Sequence, residues 1–167
     1  LERLVAAGLD SLPGAGAEIL DPQVRKSISP AKPSVEEWLE VMHEAHEMNL
    51  ATSATMMYGH IETPHQRVDH LLRIRDLQDR CPEGNYGFLA FIPWIFRSTG
   101  TRLEAEGVKS NFSALEYIRV IAVSRLILNN LRNIQASWLT VGKATAQLAL
   151  HSGANDMGSI MIEENVV

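Results

Sequence analysis

The sequence contains one cysteine, Cys81. A single thiol makes no internal disulfide and completes no multi-cysteine metal or iron–sulfur site within these residues. Such sparing use of cysteine points to a reducing, cytoplasmic compartment. No apolar run approaches the ~20 residues of a membrane span, and the charged and apolar blocks of a secretory leader are missing. Basic charge is also in deficit: 15 Lys and Arg against 20 Asp and Glu give a net charge of −5, which supplies no general attraction for nucleic-acid phosphates. What is present, 167 residues of which 46% are apolar and 21% charged, is the composition of one folded domain and not of a disordered chain. The sequence opens at Leu1 inside a helical pattern (Leu1, Leu4, Val5), so it is expected to be part of something longer.

Apolar periodicity switches repeatedly between short strand-like runs and stretches with a 3.6-residue period. Strands are expected over 9–14, 51–58, 86–92 (ending at Pro93), 134–139 and 157–162. Helices are expected after Ser34, Thr63 and Ser113, each followed three positions later by Glu37, Gln66 or Glu116 in capping-box form, and over 143–151. Residues 97–111 read as a polar loop. Five strands alternating with about as many helices predict an α/β fold with a parallel sheet and right-handed crossovers, either doubly wound or closed as a barrel. The polar and glycine signals over 14–18, 59–63, 93–97 and 137–142 all follow carboxyl ends of strands, the edge that carries active sites in such folds.

Several side chains at that edge could carry chemistry. Gly14 and Gly16, followed by Glu18, would let backbone N–H groups approach a polar ligand while a carboxylate holds hydroxyls; the full G-x-G-x-x-G is absent, and a tight turn is the simpler explanation. Tyr58, Gly59, His60 and Glu62 place a phenol, an imidazole and a carboxylate just past a strand end, where His60 could act near neutral pH. Gln135 and Ser137 fall on one side of the expected fourth strand and Trp138 on the other. Asn155 and Asp156 read equally well as turn residues. His43 and His46 are three apart, without the HExxH spacing, and with His65 and His70 they read as solvated helix positions.

These segments together resemble a known family. LVAAGLDSLPGAGAEIL, TSATMMYGHIETPHQRVDHLLRIRDLQD, GFLAFIPWIF, IQASW and GANDMGSIMIEENVV are similar to the carboxyl-terminal part of the radical S-adenosylmethionine enzymes of the futalosine menaquinone pathway and of deazaflavin synthesis. FIPW, IQASW and GSIMIEENVV look like the dehypoxanthine futalosine cyclase branch. The aminofutalosine synthase branch would be expected to carry leucine at Trp94, and the deazaflavin synthase subunit is the second neighbour. A non-catalytic α/β binding domain is the alternative of a different class.

The resemblance implies a (β/α)8 barrel of which residues 1–167 form the carboxyl-terminal portion, about five of eight units. It implies S-adenosylmethionine and a [4Fe-4S] cluster whose CxxxCxxC ligands lie outside this sequence, a flavodoxin- or ferredoxin-type electron donor, and dehypoxanthine futalosine as small-molecule substrate. In the whole enzyme a ribose hydrogen would be removed and the sugar radical would add to the aromatic ring; the 167 residues alone are expected to be inactive. By the same resemblance, Gly14, Gly16, Glu18, Gly59 and Glu62 are cofactor contacts, Tyr58 and His60 position substrate or remove a proton, and Gln135, Ser137 and Asn155 contact substrate. Ala15, where the family usually has a third glycine, and Arg97-Ser98-Thr99, in place of a glutamine-proline run, depart from the pattern.

Overall fold

The strand Ala51–Tyr58 (β2) alternates strictly: Thr52, Ala54, Met56 and Tyr58 are buried, whereas Ala51, Ser53, Thr55 and Met57 are partly exposed. That period of two is what a sheet covered on one face requires, and β2 lies at its centre. The computed structural model describes residues 1–110 and 113–158. In chain order the remaining elements are α1 (Glu2–Ala6), β1 (Ser11–Leu12), α2 (Pro22–Ile28) and α3 (Val35–Glu47) before β2. After it come α4 (Pro64–Asp79), β3 (Phe88–Ile95), α5 (Arg102–Ala105), α6 (Ala114–Ile127), β4 (Asn133–Ile134), α7 (Trp138–Val141) and α8 (Lys143–Leu150).

The sheet order is β1-β2-β3-β4, all parallel, and Asp156 forms a further parallel bridge to Gln135 beyond β4. Neighbours in space are therefore neighbours in sequence. A doubly wound sheet reverses its strand order at a switch point; an unreversed order with right-handed crossovers keeps every helix on one face. The architecture is accordingly that of successive barrel units, and the doubly wound alternative is set aside. Trp38 and Met42 of α3, Leu71, Ile74 and Leu77 of α4, and Tyr117 and Ile121 of α6 pack with Ala54, Met56, Phe91, Ile95 and Ile134 in one core.

Helix starts follow their sequence signals. Ser34 and Glu37 form a reciprocal capping box on α3, as do Thr63 and Gln66 on α4, with Pro64 at the first helical position. The third expected box is half present: Ser113 Oγ accepts from Glu116 N–H, but the Glu116 carboxylate goes to Arg67 and Arg119. Helix α2, capped by Asp21 and opened by Pro22, was not anticipated, and α5 interrupts the expected loop over 97–111.

Two strand ends differ from expectation. Pro93 does not stop β3. Phe91 O accepts from Gln135 N–H (2.9 Å), so the residue two further on also faces β4, where the pairing has ended and Pro93 O accepts from Ser137 Oγ (2.8 Å). The missing proline N–H faces β4 at the rung where that ladder stops, while β3 stays paired with β2 through Ile95. The strand expected over 134–139 stops at Ile134, apart from the Gln135 bridge; Ser137 caps α7 and Trp138 begins it. Of the strand expected over 157–162, residues 159–162 lie outside the described residues.

The histidines of α3 and α4 also require correction. His46 and His70 are fully buried, not solvated. His46 Nε2 lies 2.9 Å from Thr52 Oγ1, and His70 Nδ1 accepts from Leu20 N–H at 2.9 Å, tying each helix to the chain beside it. Burial disfavours the charged imidazole and lowers His46 to about 4 and His70 to about 3. A histidine whose folded value lies below its unfolded value stabilises fully above the unfolded value, and that stability is lost as pH falls towards the folded one. We expect the unfolding free energy to fall from about pH 6.5 downwards, and His70→Gln to flatten that slope by about 1.4 kcal/mol per pH unit. Urea titrations at pH 7, 6 and 5 measure it; parallel slopes for the two proteins would contradict the assignment.

Candidate functional site

Although β1 has only two ladder residues, the chain stays beside β2 well past them, held by side chains. Gly14 N–H donates to Ser53 Oγ (3.2 Å), Thr55 Oγ1 donates to Gly14 O (3.1 Å), and Met57 N–H donates to Glu18 O (2.8 Å). A Cβ on Gly14 would overlap Ser53 O and come within 2.7 Å of Ser53 C, so close approach is what makes this position glycine. Gly16 is glycine for another reason, a φ of +79°.

Glu18 itself adopts a φ of +49°, a left-handed conformation that costs a side-chain-bearing residue about 1–2 kcal/mol. Its carboxylate is buried, with one oxygen paired to Lys32 and the other, Oε2, without a partner. Beside it, the buried Arg25 donates from Nε to Pro33 O (2.6 Å) and from Nη1 to Ala17 O (2.6 Å), leaving Nη2 without an acceptor. Burial lowers the Arg25 pKa and the Glu18 charge opposes that fall. Backbone strain and an unused buried acceptor in the loop, with an unused buried donor on α2 beside it, are features that cluster at functional sites. The Gly14–Glu18 loop is therefore the stronger of the two strand-end loops as a candidate site.

The loop after β2 is organised by Glu62. Its carboxylate accepts from Gly59 N–H (2.7 Å), His60 N–H (2.9 Å) and Arg67 Nε–H (2.8 Å). Burial alone would raise its pKa; the contacts with His60 and Gly59 outweigh that and hold it at about 2. The His60 side chain is fully enclosed: Nε2 lies 3.1 Å from Met57 O, while Nδ1 lies 2.9 Å from Glu62 Oε2 and 2.7 Å from Ile61 N. Tyr58 points into the helix layer under the Arg67 guanidinium, 4.9 Å from the ring centroid, with its hydroxyl buried and unpartnered. Burial pushes the phenol well above its ordinary pKa. Tyr58, Gly59, His60 and Glu62 border an open cleft of about 400 Å³ with Arg67, Glu116 and Arg119.

Comparison with known proteins places these loops in context. Residues 85–167 match the CofH/MqnC C-terminal region. That match, over just under half of the chain, relates this part of it to the CofH/MqnC family. The whole chain is 47% identical to a cyclic dehypoxanthine futalosine synthase of Streptomyces coelicolor, covering 40% of that protein. It is 44% identical to an aminodeoxyfutalosine synthase of Thermus thermophilus, covering 44% of it. A 5-amino-6-(D-ribitylamino)uracil--L-tyrosine 4-hydroxyphenyl transferase of Methanosarcina mazei is 43% identical over 99% of this chain and 44% of its own length. The chain thus spans less than half the length of these relatives.

Within the CofH/MqnC region the expected contacts separate. Gln135 lies on the uncovered face of the sheet, its amide against Gly158, with no hydrogen-bond partner for its side chain among the described residues. Ser137 spends its hydroxyl on Pro93 O, while its N–H donates to Tyr117 Oη (2.7 Å). Asn155 is placed at the opposite end of the sheet, where its amide bonds Arg132 O, Ile134 N–H and Arg125; it does not join the other candidates. Among the described residues no three His, Cys, Asp or Glu side chains are grouped to hold a metal ion. Cys81 follows α4 near Gly87, at the amino end of β3. Arg25, Lys32 and Arg67 beside these loops were not singled out in the sequence as site residues. For Arg25 the signal was available: Asp21-Pro22 is a helix start.

Proposed function

We propose that this chain forms the cofactor- and substrate-facing loops of a radical S-adenosylmethionine enzyme of menaquinone biosynthesis, one that cyclises dehypoxanthine futalosine. Likeness to a cyclic dehypoxanthine futalosine synthase at 47% identity supports the substrate, and the unpartnered Glu18 oxygen is the observation that carries the site. When bound, S-adenosylmethionine supplies a carbon radical able to take a hydrogen atom from a ribose. The Gly14–Glu18 loop fits such a ligand: Gly14 and Gly16 let it approach the backbone, and Glu18 Oε2 accepts from a ribose hydroxyl or an ammonium group. The [4Fe-4S] cluster does not fit these residues, since Cys81 is the sole thiol and stands at the wrong end of the sheet; its ligands, and the docking of a flavodoxin- or ferredoxin-type donor, belong to other parts of the protein.

In this reading the loop after β2 is a rigid wall. Glu62 fixes Gly59 and His60, and the neutral phenol of Tyr58 seals the helix side. His60 and Tyr58, the candidates for late proton removal, act by holding this wall in place, and Gln135 offers its amide to the substrate. In the complete gene product, purified anaerobically, Glu18→Gln is expected to weaken S-adenosylmethionine binding at least about tenfold, the loss of a charge-assisted hydrogen bond. Equilibrium dialysis with labelled S-adenosylmethionine reads this directly, and unchanged affinity would overturn the site. Product analysis with dehypoxanthine futalosine, against the substrates of the aminodeoxyfutalosine synthase and hydroxyphenyl transferase, tests the choice of reaction.

A further inference from the structure

We infer that Trp94 is the platform on which the flat ring of the substrate stacks; the inference rests on the proposed aromatic substrate. Trp94 is the penultimate residue of β3, and Pro93 and Ile95 on either side are buried against the helices, so its indole stands on the uncovered face. It is 40% exposed, whereas Trp38 is 6% exposed and donates its indole N–H to Ala15 O, and Trp138 lies under the Lys143 ammonium. Among the described residues the Trp94 indole N–H meets no acceptor.

Its neighbours suit a flat ligand. The register sets Trp94 beside Met57 of β2, a polarisable thioether that packs well against ring edges. Ile92 lies on the same face one layer below. Met57 N–H in turn reaches Glu18 O, so the indole is two strand spacings, about 10 Å, from the Glu18 loop. A ring stacked on Trp94 leaves an attached sugar within reach of that loop, the adjacency a hydrogen transfer between sugar and cofactor demands.

The test uses the complete gene product with Trp94→Phe, Trp94→Leu and Trp94→Ala. Loss of the stacking surface in the alanine and leucine variants should raise KM for dehypoxanthine futalosine about tenfold or more, with S-adenosylmethionine affinity unchanged and phenylalanine restoring most of the effect. Titrating dehypoxanthine futalosine without reductant should quench the tryptophan emission of the parent protein and not that of Trp94→Phe. KM values in Trp94→Ala matching the parent, or quenching that persists in Trp94→Phe, would overturn the platform. Quenching that depends on Trp94 in a protein that makes no cyclised product would leave the platform standing and refute the proposed reaction instead.

Discussion

Replacing Gly14 by alanine should destabilise the protein by more than about 3 kcal/mol, at the upper end of overpacking costs, and should abolish the proposed S-adenosylmethionine binding of the complete gene product in whatever fraction folds. A Cβ at Gly14 meets backbone, Ser53 O and Ser53 C, in the middle of β2, which is paired on both sides. Neither chain can yield by a rotamer change. Separating them would break the bond Ser53 Oγ accepts from Gly14 N–H and the one Thr55 Oγ1 donates to Gly14 O, which hold the loop against the strand. Gly16→Ala provides the internal comparison: a new methyl there meets only the end of the Lys32 side chain, at 3.7 Å, so the cost is that of the φ of +79°, about 1–2 kcal/mol. Urea denaturation of the two variants should therefore rank Gly14→Ala well below Gly16→Ala. Equal losses would mean that conformational freedom, and not close approach, fixes both glycines.

The same pair shows how far the sequence could be read. Gly14 and Gly16 were legible as a loop after a strand, and β2 was legible to the residue as a run closed by Gly59, whereas its alternation of buried and partly exposed residues appears only in three dimensions. The capping boxes at Ser34 and Thr63 were equally plain, since all their partners lie within three residues. What local pattern does not contain is the identity of a distant partner. His46 and His70 look like any polar helix residue until Thr52 and the Leu20 N–H are brought beside them. Pro93 looks like a strand end because the sequence does not tell which side its missing N–H faces. Ser137 and Trp138 alternate as a strand would, yet β4 has lost its pairing by then and the chain turns into α7. At the site, Glu18 was found by its place after the glycines, but the reason it is a good candidate, an oxygen buried without a donor, appears only in three dimensions.

Glu62→Gln should cost about 3 kcal/mol at neutral pH, chiefly because it leaves groups arranged around a buried anion without one. The carboxylate is fully enclosed and serves three N–H groups, those of Gly59, His60 and Arg67. A glutamine keeps one acceptor oxygen and turns an NH₂ towards donors that have nowhere else to go. Arg67 retains Glu116, 2.7 Å away at the more exposed end of the network, which keeps the loss below that of a wholly orphaned buried charge. The pH dependence separates this account from simple mispacking. The carboxyl is held at about 2, below the 4.5 of an unperturbed glutamate, so its stabilisation is complete above about pH 4.5 and is lost as pH falls towards 2. The difference in unfolding free energy between parent and Glu62→Gln should therefore narrow by roughly 1 kcal/mol between pH 5.5 and pH 3.5. The histidines act on both proteins alike and cancel in that difference. A gap that stays constant over this range would show that the loop after β2 is held by shape and not by the charge of Glu62.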